Sequence, residues 1–73
     1  MNFTDTQVLT LIRTHPGSSL YGLLQNARLE MKLWPWTIGK IQKAVERLEK
    51  DAKITKTSTM KGGRACVELY LKS

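Results

Sequence analysis

The residues with the clearest capacity for chemistry in this sequence are cations at regular spacing. Lys40, Lys43, Arg47 and Lys50 follow one another at intervals of three and four residues, which brings them to one side of a helix. A second group, Lys56, Lys61 and Arg64, surrounds the pair Gly62-Gly63. Ammonium and guanidinium groups repeated in this way neutralise polyanions. Groups for covalent or metal chemistry are sparse. His15 and Cys66 are the single His and the single Cys, short of the about three or four ligands a zinc site needs. No phosphate-binding loop, dinucleotide fingerprint or acid pair is present. The expectation is therefore a protein that binds rather than catalyses, with no cofactor and no metal.

The charge is concentrated. The chain has 73 residues and a net charge of +6, with 41% hydrophobic and 25% charged residues. Residues 1–31 and 65–73 are each neutral overall, and the whole excess lies between 32 and 64, where only Glu46, Glu49 and Asp51 oppose the Lys and Arg. A one-sided basic field is the footprint of a polyanion binder, and a solvated basic face is its alternative. The length allows one domain, residues 1–73, with one modest core. No apolar run approaches the roughly 18 to 20 residues of a membrane span. The first residues lack a secretory pattern and a lone Cys forms no internal disulfide, so a cytoplasmic protein with no membrane partner is expected.

Five elements must position these cations. Thr4-Asp5-Thr6-Gln7 fits a capping box that opens a first helix, with Val8, Leu9, Leu11 and Ile12 on its apolar side and His15-Pro16-Gly17 closing it. Ser18-Ser19 reads either as a short strand or as the cap of a second helix, Leu20 to about Met31. Leu33-Trp34-Pro35-Trp36 then interrupts the pattern. Thr37 caps a third helix, Ile38 to about Lys50, whose Ile38, Ile41, Ala44, Val45 and Leu48 form the clearest apolar stripe in the chain. Ile54–Met60 and Ala65–Leu71 alternate as strands, joined by a turn in which Gly62-Gly63 supplies positive φ.

Three helices followed by a β-hairpin give an α+β fold, a winged helix-turn-helix with a two-stranded wing and room for a short third strand near Ser18-Ser19. In that architecture the third helix lies in the DNA major groove and the wing beside it. At about 100° per residue, the side of the third helix opposite its apolar stripe carries Gly39, Lys40, Lys43, Arg47 and Lys50. Gly39 lets the backbone approach a partner closely. Thr37 and the free N–H groups of the first turn suit a phosphate. Lys56, Lys61 and Arg64 would add a second basic surface, with Arg64 suited to a narrow minor groove.

Several segments resemble MarR-type and PadR-type winged-helix transcription factors. Arg47-Leu48-Glu49-Lys50-Asp51-Ala52-Lys53-Ile54 is similar to the R-L-E-x-x-G-x-I that closes their recognition helix and opens the wing. Gly63-Arg64-Ala65-Cys66-Val67-Glu68-Leu69-Tyr70-Leu71 resembles their second wing strand. His15-Pro16-Gly17-Ser18-Ser19-Leu20-Tyr21-Gly22 resembles their link into the second helix. The resemblance implies a homodimeric transcription regulator that binds double-stranded DNA. It places Thr37, Lys40, Gln42 and Lys43 near bases or phosphates and Arg64 at the wing. Ala52 departs from the pattern where the families carry Gly.

Trp34 and Trp36 bracket Pro35. Trp34 is expected as a plug between the second and third helices, because Trp buries a large apolar area. Trp36, nearer the third helix, is expected on the DNA side. The rival reading is a winged helix that binds protein through the Trp34–Trp36 region, where Trp would act as an interface anchor.

Overall fold

The computed structural model describes residues 2–32 and 34–72. Leu33, part of the interruption before the third helix, lies outside them. The order is α1 (Phe3–Thr14), α2 (Leu20–Glu30), α3 (Ile38–Lys50), β1 (Ile54–Lys61) and β2 (Arg64–Leu71), the winged helix-turn-helix arrangement. One core joins the elements: Val8, Leu11 and Ile12 of α1, Leu23, Leu24 and Ala27 of α2, Ile41, Ala44, Val45 and Leu48 of α3, and Trp36, Ile54 and Leu69. Among the described residues, no helix is long and apolar enough to cross a membrane.

The cap of α1 is Asn2, not Thr4. The Asn2 side chain accepts the Asp5 N–H at 2.8 Å. Asn ranks with Ser and Asp as a cap, and starting there places Asp5 in the first turn, turned toward α3. Between α1 and α2 both readings of Ser18-Ser19 are realised, one residue each. Ser18 forms a single antiparallel bridge with Leu69, through Leu69 N–H to Ser18 O at 3.0 Å and Gly17 N–H to Leu69 O at 2.8 Å. Ser19 caps α2, accepting the Gly22 N–H at 3.1 Å. The third strand is thus one bridge long, and it ties the α1–α2 link to the wing.

Thr37 caps α3 as its sequence indicates. Trp36, one residue before the cap, and Ile41, at the fourth helical position, belong to the same core, the pairing of a hydrophobic staple. At the other end the Lys53 N–H bonds Leu48 O at 2.9 Å and the Ala52 N–H bonds Glu49 O at 3.0 Å. This is a Schellman motif. It requires a left-handed residue, and Ala52 takes that place at φ 58°. The turn that the related pattern builds on Gly is therefore kept, with the Cβ strained against the following carbonyl.

The hairpin pairs Ile54 with Leu71 through to Lys61 with Arg64. Each strand runs one residue further toward the turn than its alternation indicates, which leaves a two-residue loop, Gly62-Gly63, at φ 57° and 80°. Positive φ at both positions is the type I′ geometry whose twist matches the strands. The face carrying Leu69 and Val67 packs on the helices, and the opposite face carries Cys66, Glu68 and Tyr70.

The strained Ala52 gives a direct test of the helix end. Ala52→Gly removes the Cβ penalty and should stabilise the protein by about 1 kcal/mol, a rise in Tm of roughly 4–8 °C for a domain of this size. A lower Tm in thermal unfolding would mean that this turn is not left-handed.

Candidate nucleic-acid interface

Packing divides the solvent-facing side of α3 into three strips. Toward α1, Arg47 is clamped to Asp5: its Nη2 and Nε lie 2.7 and 2.9 Å from the two carboxylate oxygens. The Asp5 side chain is 5% exposed and Arg47 44%, so the buried partner is the carboxylate, and hydrogen bonding to it raises the guanidinium pKa further. Lys40 lies on the same strip. Its Nζ donates to Pro35 O at 3.0 Å and sits 5.2 Å from the Trp34 ring centroid, a cation–π contact. Toward the wing, Gln42 and Glu46 line a shallow cleft of about 90 Å³ with Lys56, Val67 and Leu69. Glu49 lies 3.9 Å from Lys56, an exposed and weak pair.

The central strip carries Gly39, Lys43 and Lys50, all exposed. Lys43 and Lys50 have no ionic partner among the described residues. A Cβ on Gly39 would meet only Thr37 Oγ1, at 3.9 Å. Nothing inside the fold requires a glycine there, although glycine costs a helix up to about 1 kcal/mol relative to alanine. The flat patch at Gly39, with Thr37 at its head and Gln42 and Lys43 at its edge, is open to an external partner.

The wing divides its cations in a similar way. Lys61 and Arg64 face each other on the last rung of the hairpin, where like charges repel. Lys61 turns back to Glu68 at 2.8 Å, and the Tyr70 hydroxyl donates to the same carboxylate at 3.0 Å. Hydrogen bonds from Lys61 and Tyr70 hold the Glu68 pKa below its ordinary value, and the bond to Glu68 raises that of Lys61. Arg64 remains exposed at the tip without an ionic partner among the described residues. At about 3.3 Å per residue, the tip lies roughly 16 Å beyond Lys56.

Two expected site residues prove structural. Trp36 is 4% exposed and its Nε1–H donates to Met31 O at 2.8 Å, so its ring is a core plug and is not offered to DNA. Trp34 takes the outer position, 36% exposed, with its ring 5.0 Å from Phe3. The expected placement of the two tryptophans is thus reversed, because the Trp36 N–H closes a tight turn onto Trp34 O at 2.9 Å and sends the second ring inward. A Trp34–Trp36 protein-binding patch loses its second member for the same reason. Arg47, expected among the free cations, is the clamp to α1. Two pairings at the candidate site that the sequence does not announce are Asp5–Arg47 and Lys61–Glu68–Tyr70. The signal for the second was there, since Glu68 and Tyr70 share a strand face two residues apart.

Among the described residues, no three His, Cys, Asp or Glu side chains converge to hold a metal.

The Glu68 cluster makes a pH-dependent contribution with a defined sign. A carboxylate with a depressed pKa stabilises the fold above its ordinary range, and that contribution disappears as pH falls through the depressed value. Glu68→Gln should therefore be less stable than the native protein at neutral pH, with the gap closing as acid protonates Glu68 below the ordinary carboxylate range. A gap of constant size in urea melts across that range would show that the cluster is not held by charge.

No family model matches the chain, and no curated protein matches it significantly. Among solved structures, it is similar to Bacillus subtilis PadR in complex with operator DNA, with a TM-score of 0.83 and 19% identity, over 96% of this chain and 40% of the PadR chain. The chain thus spans less than half the length of that neighbour. At this identity the likeness is one of fold, and the fold is the winged helix of PadR.

Proposed function

We propose that this chain binds double-stranded DNA as a sequence-specific transcription regulator, with α3 in the major groove and the hairpin tip, residues 61–64, on the flanking backbone or minor groove. The observation that carries the reading is the central strip of α3: a flat patch at Gly39 beside unpaired cations, in a fold that in PadR is bound to operator DNA. Thr37, Gly39, Gln42 and Lys43 form the groove-facing set, since the first turns of a recognition helix reach base edges. Lys50, Lys56, Lys61 and Arg64 supply phosphate contacts, with Lys40 held back by Pro35 and Trp34. A homodimer on paired half-sites completes the reading, because two linked contacts multiply affinity.

The test is binding to a labelled random duplex, followed by fluorescence anisotropy from low to physiological salt. Affinity should fall steeply with salt. Lys43→Ala should weaken binding with an unchanged Tm. Arg64→Ala should reduce the salt slope by about one, and Lys61→Ala by less, because Glu68 already neutralises Lys61. Gly39→Ala should weaken binding while leaving the helix as stable or more so. Negligible binding at low salt overturns the reading.

A further inference from the structure

We propose that α3 reads an adenine and a guanine on neighbouring base pairs, with Gln42 taking the adenine and Lys43 the guanine; this rests on the DNA-binding reading above. Gly39, Gln42 and Lys43 stand at positions i, i+3 and i+4, so they are neighbours on the helix surface. All three are exposed. With no side chain at Gly39 and open space where its Cβ would stand, the helix can settle low enough for the next turn to meet base edges.

The two side chains then differ in what they can recognise. The Gln42 amide carries one acceptor and a donor group side by side. In the major groove adenine presents the complementary pair, a donor at N6 and an acceptor at N7. The Lys43 ammonium has donors only. Its match is guanine, which presents two acceptors, O6 and N7. The other lysines of α3 are placed for different work. Lys40 is engaged by Pro35 O and the Trp34 ring. Lys50 lies about 10 Å further along the axis at the helix end. Glu46, exposed on the wing side one turn beyond Gln42, sharpens the assignment. Its carboxylate repels the acceptor-rich edge of guanine, which leaves guanine to the Lys43 side.

The experiment is selection of the full chain on a library of randomised duplexes, with sequencing of the bound fraction. The native protein should enrich sites in which an adenine and a guanine occupy adjacent pairs, and replacing either base should lower affinity about ten- to a hundredfold. Gln42→Ala should lose the adenine requirement and keep the guanine. Lys43→Ala should do the reverse, and Lys43→Arg should retain guanine, because a guanidinium also donates to O6 and N7. Both residues are exposed, so folding is unaffected and is checked by circular dichroism. Selected sites whose base preferences stay the same in both alanine variants overturn this assignment while leaving DNA binding intact. Binding to no duplex at low salt overturns the DNA reading and the assignment together.

Discussion

The burial of one stripe of α3 governs the rest of the molecule. Ile41, Ala44, Val45 and Leu48 are all nearly inaccessible, and they meet side chains from α1, α2 and the wing in a single core. The described residues form one core. Once that stripe is inside, the opposite strip must face solvent, and Gly39, Lys43 and Lys50 are on it. Rotation about the helix axis is then fixed from one flank by Asp5 and Arg47. The carboxylate of that pair is the buried partner, so removing the guanidinium would strand a charge, whereas removing the carboxylate would leave Arg47 access to water. The interaction therefore holds α1 to α3 more through the needs of Asp5 than through those of Arg47.

The same economy explains which cations are free. An exposed Lys or Arg costs little where a carboxylate or carbonyl can take it, and several here are taken: Arg47 by Asp5, Lys40 by Pro35 and Trp34, and Lys61 by Glu68. On α3 and at the wing tip, Lys43, Lys50 and Arg64 remain without an ionic partner among the described residues, as do Arg13, Lys32, Lys53 and Lys72 elsewhere on the surface. A basic composition alone would not distinguish a binding surface from a solvated one. Within α3, engaged Lys40 and Arg47 on one flank and unpaired Lys43 and Lys50 in the centre, beside a glycine that internal packing does not require, favour the binding surface.

Much of the fold was legible because it depends on local patterns. The stripe of α3, the Thr37 cap and the alternation around Gly62-Gly63 each specify their element within a few residues. What was not legible depended on partners far along the chain. Arg47 looked like one more cation on a basic face because Asp5 is 42 residues away. The positions of Trp34 and Trp36 are the reverse of what spacing suggests, because a turn over Pro35 and the Met31 carbonyl direct the Trp36 ring inward. At the start of α1, Asn2 and Thr4 are both good caps, and residue type alone does not choose between them. Ala52 is the opposite case: the helix end was readable, but only the backbone shows that alanine is held in a glycine conformation.

In the proposed function, the outer strip of α3 and the wing tip act as one DNA surface. The most direct measurement is titration of the isotope-labelled protein with a duplex, with the backbone amide shifts followed by NMR. The largest changes should fall at Thr37–Lys43 and at Lys61–Arg64, with Phe3 and Trp34 unaffected. Changes confined to Phe3 and Trp34, or none at any ratio of DNA to protein, would contradict it.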